Sequence, residues 1–322
     1  MSRRLEPRSP FWQLSAHRRT IILLVLTAFA LYILLPLVSG RRKGGLSELA
    51  VADWRWLIAA FFASFATYAC AALIYLLLAK HPLRYNRTVL AQLAATFVNR
   101  IIPAGIGTVS VSYDYLRKQD HTRLEAGVVV GANAVTGLTG HILILLATVL
   151  LSRRAVSGLA FPDWHLSAWL WLLPVALIGA AAGVMQTRQL RSKVTKGIRS
   201  VVQNVKAYRQ SPWHLVGALA CSILMTMLYA LTLWFCAQAV GSSLSLSQIF
   251  IVLTIGVAGA TVIPTPGGLG AAEATLAGGL MLYGVEGANA VAIALLYRLF
   301  TYWLAFVIGF FAFLYSQRRH YL

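Results

Sequence analysis

Six apolar runs dominate this chain, near residues 20–38, 56–79, 126–150, 166–186, 213–238 and 287–315, and only the last contains a charge, Arg298. Each is about as long as, or longer than, the roughly 20 residues an α-helix needs to cross a hydrocarbon core of about 30 Å. They are read as spanning helices. Hydrophobic residues make up 59% of the sequence and charged residues 11%, with a mean hydropathy of +0.71. Such a composition excludes a water-soluble enzyme and fits a single membrane domain over residues 1–322. Arg3, Arg4, Arg8, Arg18 and Arg19 precede the first run as in a secretory signal. That run is longer than a signal core of about 7 to 15 residues, so it is expected to stay as the first membrane helix.

The formal net charge of +19 is gathered between the apolar runs, where cations act as topology signals and contacts to anionic lipid head groups. No nucleic-acid motif accompanies it. Lys80, Arg84, Arg87, Arg117, Lys118, Arg123, Arg318 and Arg319 join the N-terminal arginines on one side; Arg41, Arg42, Lys43, Arg55, Arg153 and Arg154 fall on the other. The imbalance predicts a multi-pass protein of the cell (inner) membrane with both termini cytoplasmic. Between residues 187 and 210, Leu190, Val194, Ile198, Val201, Val202 and Val205 recur every three or four positions among seven cations and no acids. This is the pattern of a basic amphipathic helix lying on the cytoplasmic leaflet.

Two further apolar stretches, near 88–116 and 247–283, are interrupted. From Thr88 to Ile102 a helix would reach about 22 Å, and the return limb from Ile106 to Leu116 less, so neither crosses the core. The segment reads as a hairpin turning at "RIIPAGIG" (100–107), against the simpler reading of one helix kinked at Pro103. In the second stretch, "PTPGGLG" (264–270) is either a re-entrant apex or an ordinary turn between two full spans; it lacks the cations expected of a cytoplasmic turn. A shift of 161 residues aligns Ile102-Pro103 with Ile263-Pro264, Gly107 with Gly268 and Glu125 with Glu286. Three spans separate the stretches, so one hairpin would enter from each side. The expected fold is all-α, about six spanning helices plus two re-entrant helical hairpins in an inverted repeat, about 88–150 and about 247–315.

"VIPTPGGLGAAEA" (262–274), "LLYRLFTYW" (295–303) and "NRIIPAG" (99–105) resemble the transmembrane region of the lysylphosphatidylglycerol synthase family. The signature P-x-P-G-G-x-G-x-x-E is matched by Pro264, Pro266, Gly267, Gly268, Gly270 and Glu273. The resemblance covers most of the chain and implies movement of a phospholipid or lipid-linked substrate across the membrane. The synthase's soluble aminoacyl-transfer domain would lie beyond the last helix, whereas this sequence ends at Leu322, so lysyl transfer is not expected of it.

Prolines and glycines at the two breaks (Pro103, Gly105 and Gly107; Pro264, Pro266, Gly267, Gly268 and Gly270) stop a helix and let backbone face a cavity. Glu273 falls in the first turn after the second break, where a carboxylate either caps free amides or acts as an intramembrane functional charge. Arg298 and Arg100 need partners at membrane depth. Glu273 or a substrate phosphate is the candidate for Arg298, and Asp114 for Arg100. Purely structural ion pairs are the competing reading of both. Glu125 and Glu286 are expected to cap helices, and His141 and the three cysteines to pack. No metal-ligand spacing, P-loop or G-x-S-x-G occurs, so no metal or cofactor is expected. The leading expectation is a transporter or flippase working by alternating access. The alternatives are a membrane transferase with Glu273 as general base, and an accessory subunit of a lipid-modifying complex.

Overall fold

Asp53 starts the first described helix by accepting the Arg55 amide on its carboxylate at 2.9 Å, and beyond Arg55 an uncharged run carries α1 (Trp54–Leu78) to its end. The computed structural model describes residues 52–102, 105–151, 212–262 and 268–322. All regular structure among them is helical: α2 (Tyr85–Ile101), α3 (Ile106–Lys118), α4 (Arg123–Leu151), α5 (Pro212–Ala239), α6 (Leu246–Val262), α7 (Ala271–Leu282), α8 (Gly287–Arg298), a π-helical segment (Leu299–Leu304) and α9 (Ala305–Arg318). Among the described residues, four stretches are long and apolar enough to cross a bilayer: α1, α4, α5 and the continuous helix Gly287–Arg318. They coincide with four of the six spans read from the sequence. The remaining two, with the 187–210 helix and Pro103, Pro264, Pro266 and Gly267, lie outside the described residues.

α1 and α5 run antiparallel and share the most extensive interface. Asp53 N–H donates to the Ala239 carbonyl at 3.0 Å at one end. Trp56 meets Trp234 edge-on at 5.6 Å, and at the far end Ile74, Tyr75 and Leu78 pack with Ala218. Small residues are buried along α1, Ala60, Ala63, Ser64 and Cys70 among them, which suits close helix approach, since helices in lipid associate by packing rather than by escape from water.

α2 inserts against α9. Phe97 contacts Phe306, Phe310 and Phe313 at centroid distances of 5.1, 5.4 and 5.4 Å. α3 folds back on α2, and α7 on α6. The two pairs open toward opposite ends of the molecule. α2 begins and α3 finishes beside the end of α9, whereas α6 begins beside the end of α5, where Trp234 donates its indole N–H to the Leu244 carbonyl at 3.0 Å.

α4 begins with a reciprocal cap. Glu125 accepts the Thr122 amide at 2.9 Å, and the Thr122 hydroxyl accepts the Glu125 amide at 3.3 Å. The second expected cap differs. Glu286 stands at the N-cap of α8 but makes no side-chain capping bond, and its side chain is exposed.

Candidate functional site

α7 starts one residue after Gly270, whose φ of 80° is open to glycine at little cost. This places Glu273 in the first turn, facing α8. There it does not cap the helix. Glu273 Oε1 accepts from Arg298 Nε at 2.7 Å, while Oε2 is buried without a hydrogen-bond partner. The expected pairing across the second break is therefore present, and the capping alternative is not realised. With the Arg298 side chain 8% exposed and that of Glu273 18%, the pair is screened far less than a surface salt bridge.

Arg298 is the last residue of α8, and the helix then widens into the π segment. Single π turns inside α-helices recur at functional sites. Here two successive carbonyls of the segment receive side chains from other helices. Ser64 Oγ donates to the Phe300 carbonyl at 3.3 Å, and Arg100 Nη2 to the Thr301 carbonyl at 2.9 Å. Tyr302, one turn beyond Arg298, is buried and lies under both guanidinium groups. Arg298 Cζ is 4.1 Å and Arg100 Cζ 4.2 Å from its ring centroid.

The first helix pair delivers Arg100 to this point. Gly107 sits so close to α2 that an added Cβ would fall 2.6 Å from Asn99 Cα, which presses the limbs together next to Arg100. Gly105 (φ 74°) and Gly268 (φ 68°) take left-handed turns at the two breaks. Asp114 does not join the cluster. It is exposed on α3, and Arg100 meets no carboxylate within ion-pair distance among the described residues. The reason is helical phase: Val111, Ser112, Tyr115 and Leu116 form the buried face of α3, and Asp114 points away from it. His141 lies against Phe250 at 5.6 Å, as a packing residue.

Two guanidinium groups and one carboxylate thus share a buried site, with two polar atoms unpartnered: the donor Arg100 Nε and the acceptor Glu273 Oε2. Net positive charge with the Arg100 Nε donor unused suits an anion such as a phosphate. Sequence reasoning found Arg100, Glu273 and Arg298 but missed Tyr302 and Thr301. The i, i+4 spacing of Arg298 and Tyr302 within "LLYRLFTYW" carried the signal for the tyrosine; the π widening has none. No cluster of three metal-ligating side chains occurs among the described residues.

Residues 20–309 match the profile of the family described as the lysylphosphatidylglycerol synthase TM region. Over 190 residues the chain is 27% identical to a UPF0104 membrane protein of Methanothermobacter thermautotrophicus. That similarity covers 58% of this chain and 54% of that protein, so it spans about half the length of the curated relative.

Proposed function

Because the chain belongs to the family of the lysylphosphatidylglycerol synthase TM region, we propose that it moves a phospholipid or lipid-linked substrate between leaflets of the cell membrane. The head group passes the Arg100–Tyr302–Arg298 cluster by alternating access. One observation carries this reading: Arg100 is held at membrane depth by a neutral carbonyl and a ring face, with no carboxylate in ion-pair reach among the described residues. An arginine in that setting costs several kcal/mol unless wetted or paired, and an anionic head group is the partner it lacks. Glu273 holds Arg298 in the resting state and releases it when a phosphate competes.

The helix bounds support an inverted repeat. A shift of 161 residues carries α2 (Tyr85–Ile101) onto α6 (Leu246–Val262) at both ends, and each short pair precedes a long apolar helix. The limbs are 17, 13, 17 and 12 residues, about 18 to 26 Å at 1.5 Å per residue. We take them as re-entrant from opposite faces, the arrangement in which broken helices meet near the bilayer midplane. Lys80, Arg84, Arg87, Arg117, Lys118, Arg318 and Arg319 cluster at the face where α9 finishes, which supports a cytoplasmic C-terminus.

The test is leaflet-resolved. Purified protein in liposomes carrying a head-group-labelled phospholipid is expected to speed exchange of the label over protein-free liposomes, read with an impermeant quencher. Chemical conversion of the lipid without exchange would replace this reading with the membrane transferase.

A further inference from the structure

A cavity of about 510 Å³ opens at the end of the molecule where α2 begins and α9 finishes, away from the central cluster. Arg84 and Arg87 from the start of α2, Tyr315 from the last turn of α9 and Tyr321 from the C-terminal turn form its walls, and no acidic residue lines it. The turn is a built feature. Tyr321 N–H donates to the Ser316 carbonyl at 2.8 Å after a reversal at His320 (φ 57°), which swings the Tyr321 ring over Arg87 at 4.5 Å. The ring fixes one guanidinium face and leaves its edge donors free to turn outward. Arg84, as the N-cap of α2, makes no side-chain capping bond, so the first-turn amides add positive potential to the same opening.

We propose that this cavity binds the phosphate head group of an anionic lipid from the adjacent leaflet. The occupant is a lipid rather than a free anion because half of the wall is aromatic or apolar, with Leu90 beside the tyrosines. From the opening, Val307, Phe311 and Leu314 form an exposed apolar line along α9, spaced as one helical face, along which an acyl chain can lie. Tyrosine and arginine at a helix end are suited to the head-group layer, where one side of the ring is apolar and the other wet. Arg87 and Arg100 stand 13 residues apart on one helix, about 20 Å along its axis. The site is therefore separate from the proposed transport route and does not rest on it.

The experiment uses the full chain in neutral detergent with phosphatidylglycerol bearing a photoreactive head group, followed by peptide mapping. Cross-links are expected at residues 84–90 and 315–322, competed by unlabelled phosphatidylglycerol but not by phosphatidylcholine or inorganic phosphate. In the Arg84→Gln/Arg87→Gln variant, the loss of two interfacial cations should weaken competition roughly thirtyfold. Arg55→Gln, at the opposite end of α1, should leave it unchanged. Tyr321→Ala removes a wall without removing a charge, and it too should weaken competition by unlabelled phosphatidylglycerol, which serves as the test if the double variant does not give monodisperse protein. Unchanged labelling in these variants overturns the proposal, and so does equal competition by inorganic phosphate, which would make the cavity a free-anion site.

Discussion

Arg100 and Arg298 share one tyrosine ring but differ in what balances their charge. Arg298 has Glu273 at 2.7 Å; Arg100 has a carbonyl and the ring. Removing either member of a buried pair strands the other charge, at a cost of about 3–5 kcal/mol, whereas removing both is far milder. Glu273→Gln and Arg298→Gln should each lower the unfolding temperature in detergent, and the double variant should recover much of the loss while still failing to transport. Recovery of both stability and transport in the double variant would make the pair purely structural.

A second residue-scale expectation lies outside the spans, in the turn between α3 and α4. His121 is buried; its Nε2 accepts the His81 amide at 3.3 Å, and its Nδ1 faces the Gln119 carbonyl at 2.9 Å, an arrangement that suits the neutral ring. Burial first, and the nearby His81 as well, push His121 below its ordinary value of 6.5, while the Gln119 carbonyl opposes the shift. A histidine depressed in the folded state takes up its proton more readily when unfolded, so its contribution is full above pH 6.5 and is lost as pH falls below it. Lys80 and Glu125 form the adjoining ion pair at 2.7 Å, with the His81 ring 3.6 Å from the same carboxylate. Thermal unfolding at pH 7.5 and 5.5 should show lower stability at the acid end, with a shallower slope in His121→Asn. An identical slope in the variant would place the pH dependence elsewhere.

At the scale of elements, the breaks do more than end helices. Gly107 lets α3 lie against the backbone of α2 beside Asn99, and a methyl group there would meet backbone atoms at 2.6 Å. Overpacking of this kind costs about 1–3 kcal/mol, and the shift would reach Arg100 next door. Gly107→Ala should therefore reduce transport more than Gly127→Ala, whose added Cβ meets nothing within 4 Å. Equal activity of the two variants would show that the spacing of the limbs does not position Arg100. The helices themselves were legible because their signal is composition: α1, α4, α5 and Gly287–Arg318 start and stop within about three residues of the runs read from hydropathy. The pairing of Glu273 with Arg298 was legible as well, since few charges are available at that depth. Asp114 was misassigned because hairpin proximity says nothing about helical phase. The π segment was invisible because its six residues, five apolar or aromatic and Thr301, give no sign of a change in hydrogen-bond register.

For the whole molecule, opposed helix pairs imply opposed accessibility. In a version without Cys70, Cys221 and Cys236, single cysteines at Ser242 and Gly284 should react with an impermeant thiol reagent from outside the cell, and one at Gln119 only from inside. A cysteine at Thr265 that labels from the cytoplasm as readily as one at Lys196 would make the second break an ordinary turn between full spans. The central claim, that Arg100, which meets no carboxylate within ion-pair distance among the described residues, carries an anionic head group past the midplane, is tested most directly by head-group discrimination. Leaflet exchange of phosphatidylglycerol and phosphatidylcholine is measured in liposomes holding the unaltered protein or Arg100→Gln. The account predicts faster exchange of the anionic lipid by the unaltered protein, and loss of that preference in the variant with the fold intact. Equal rates for both lipids, or a preference that survives Arg100→Gln, would contradict it.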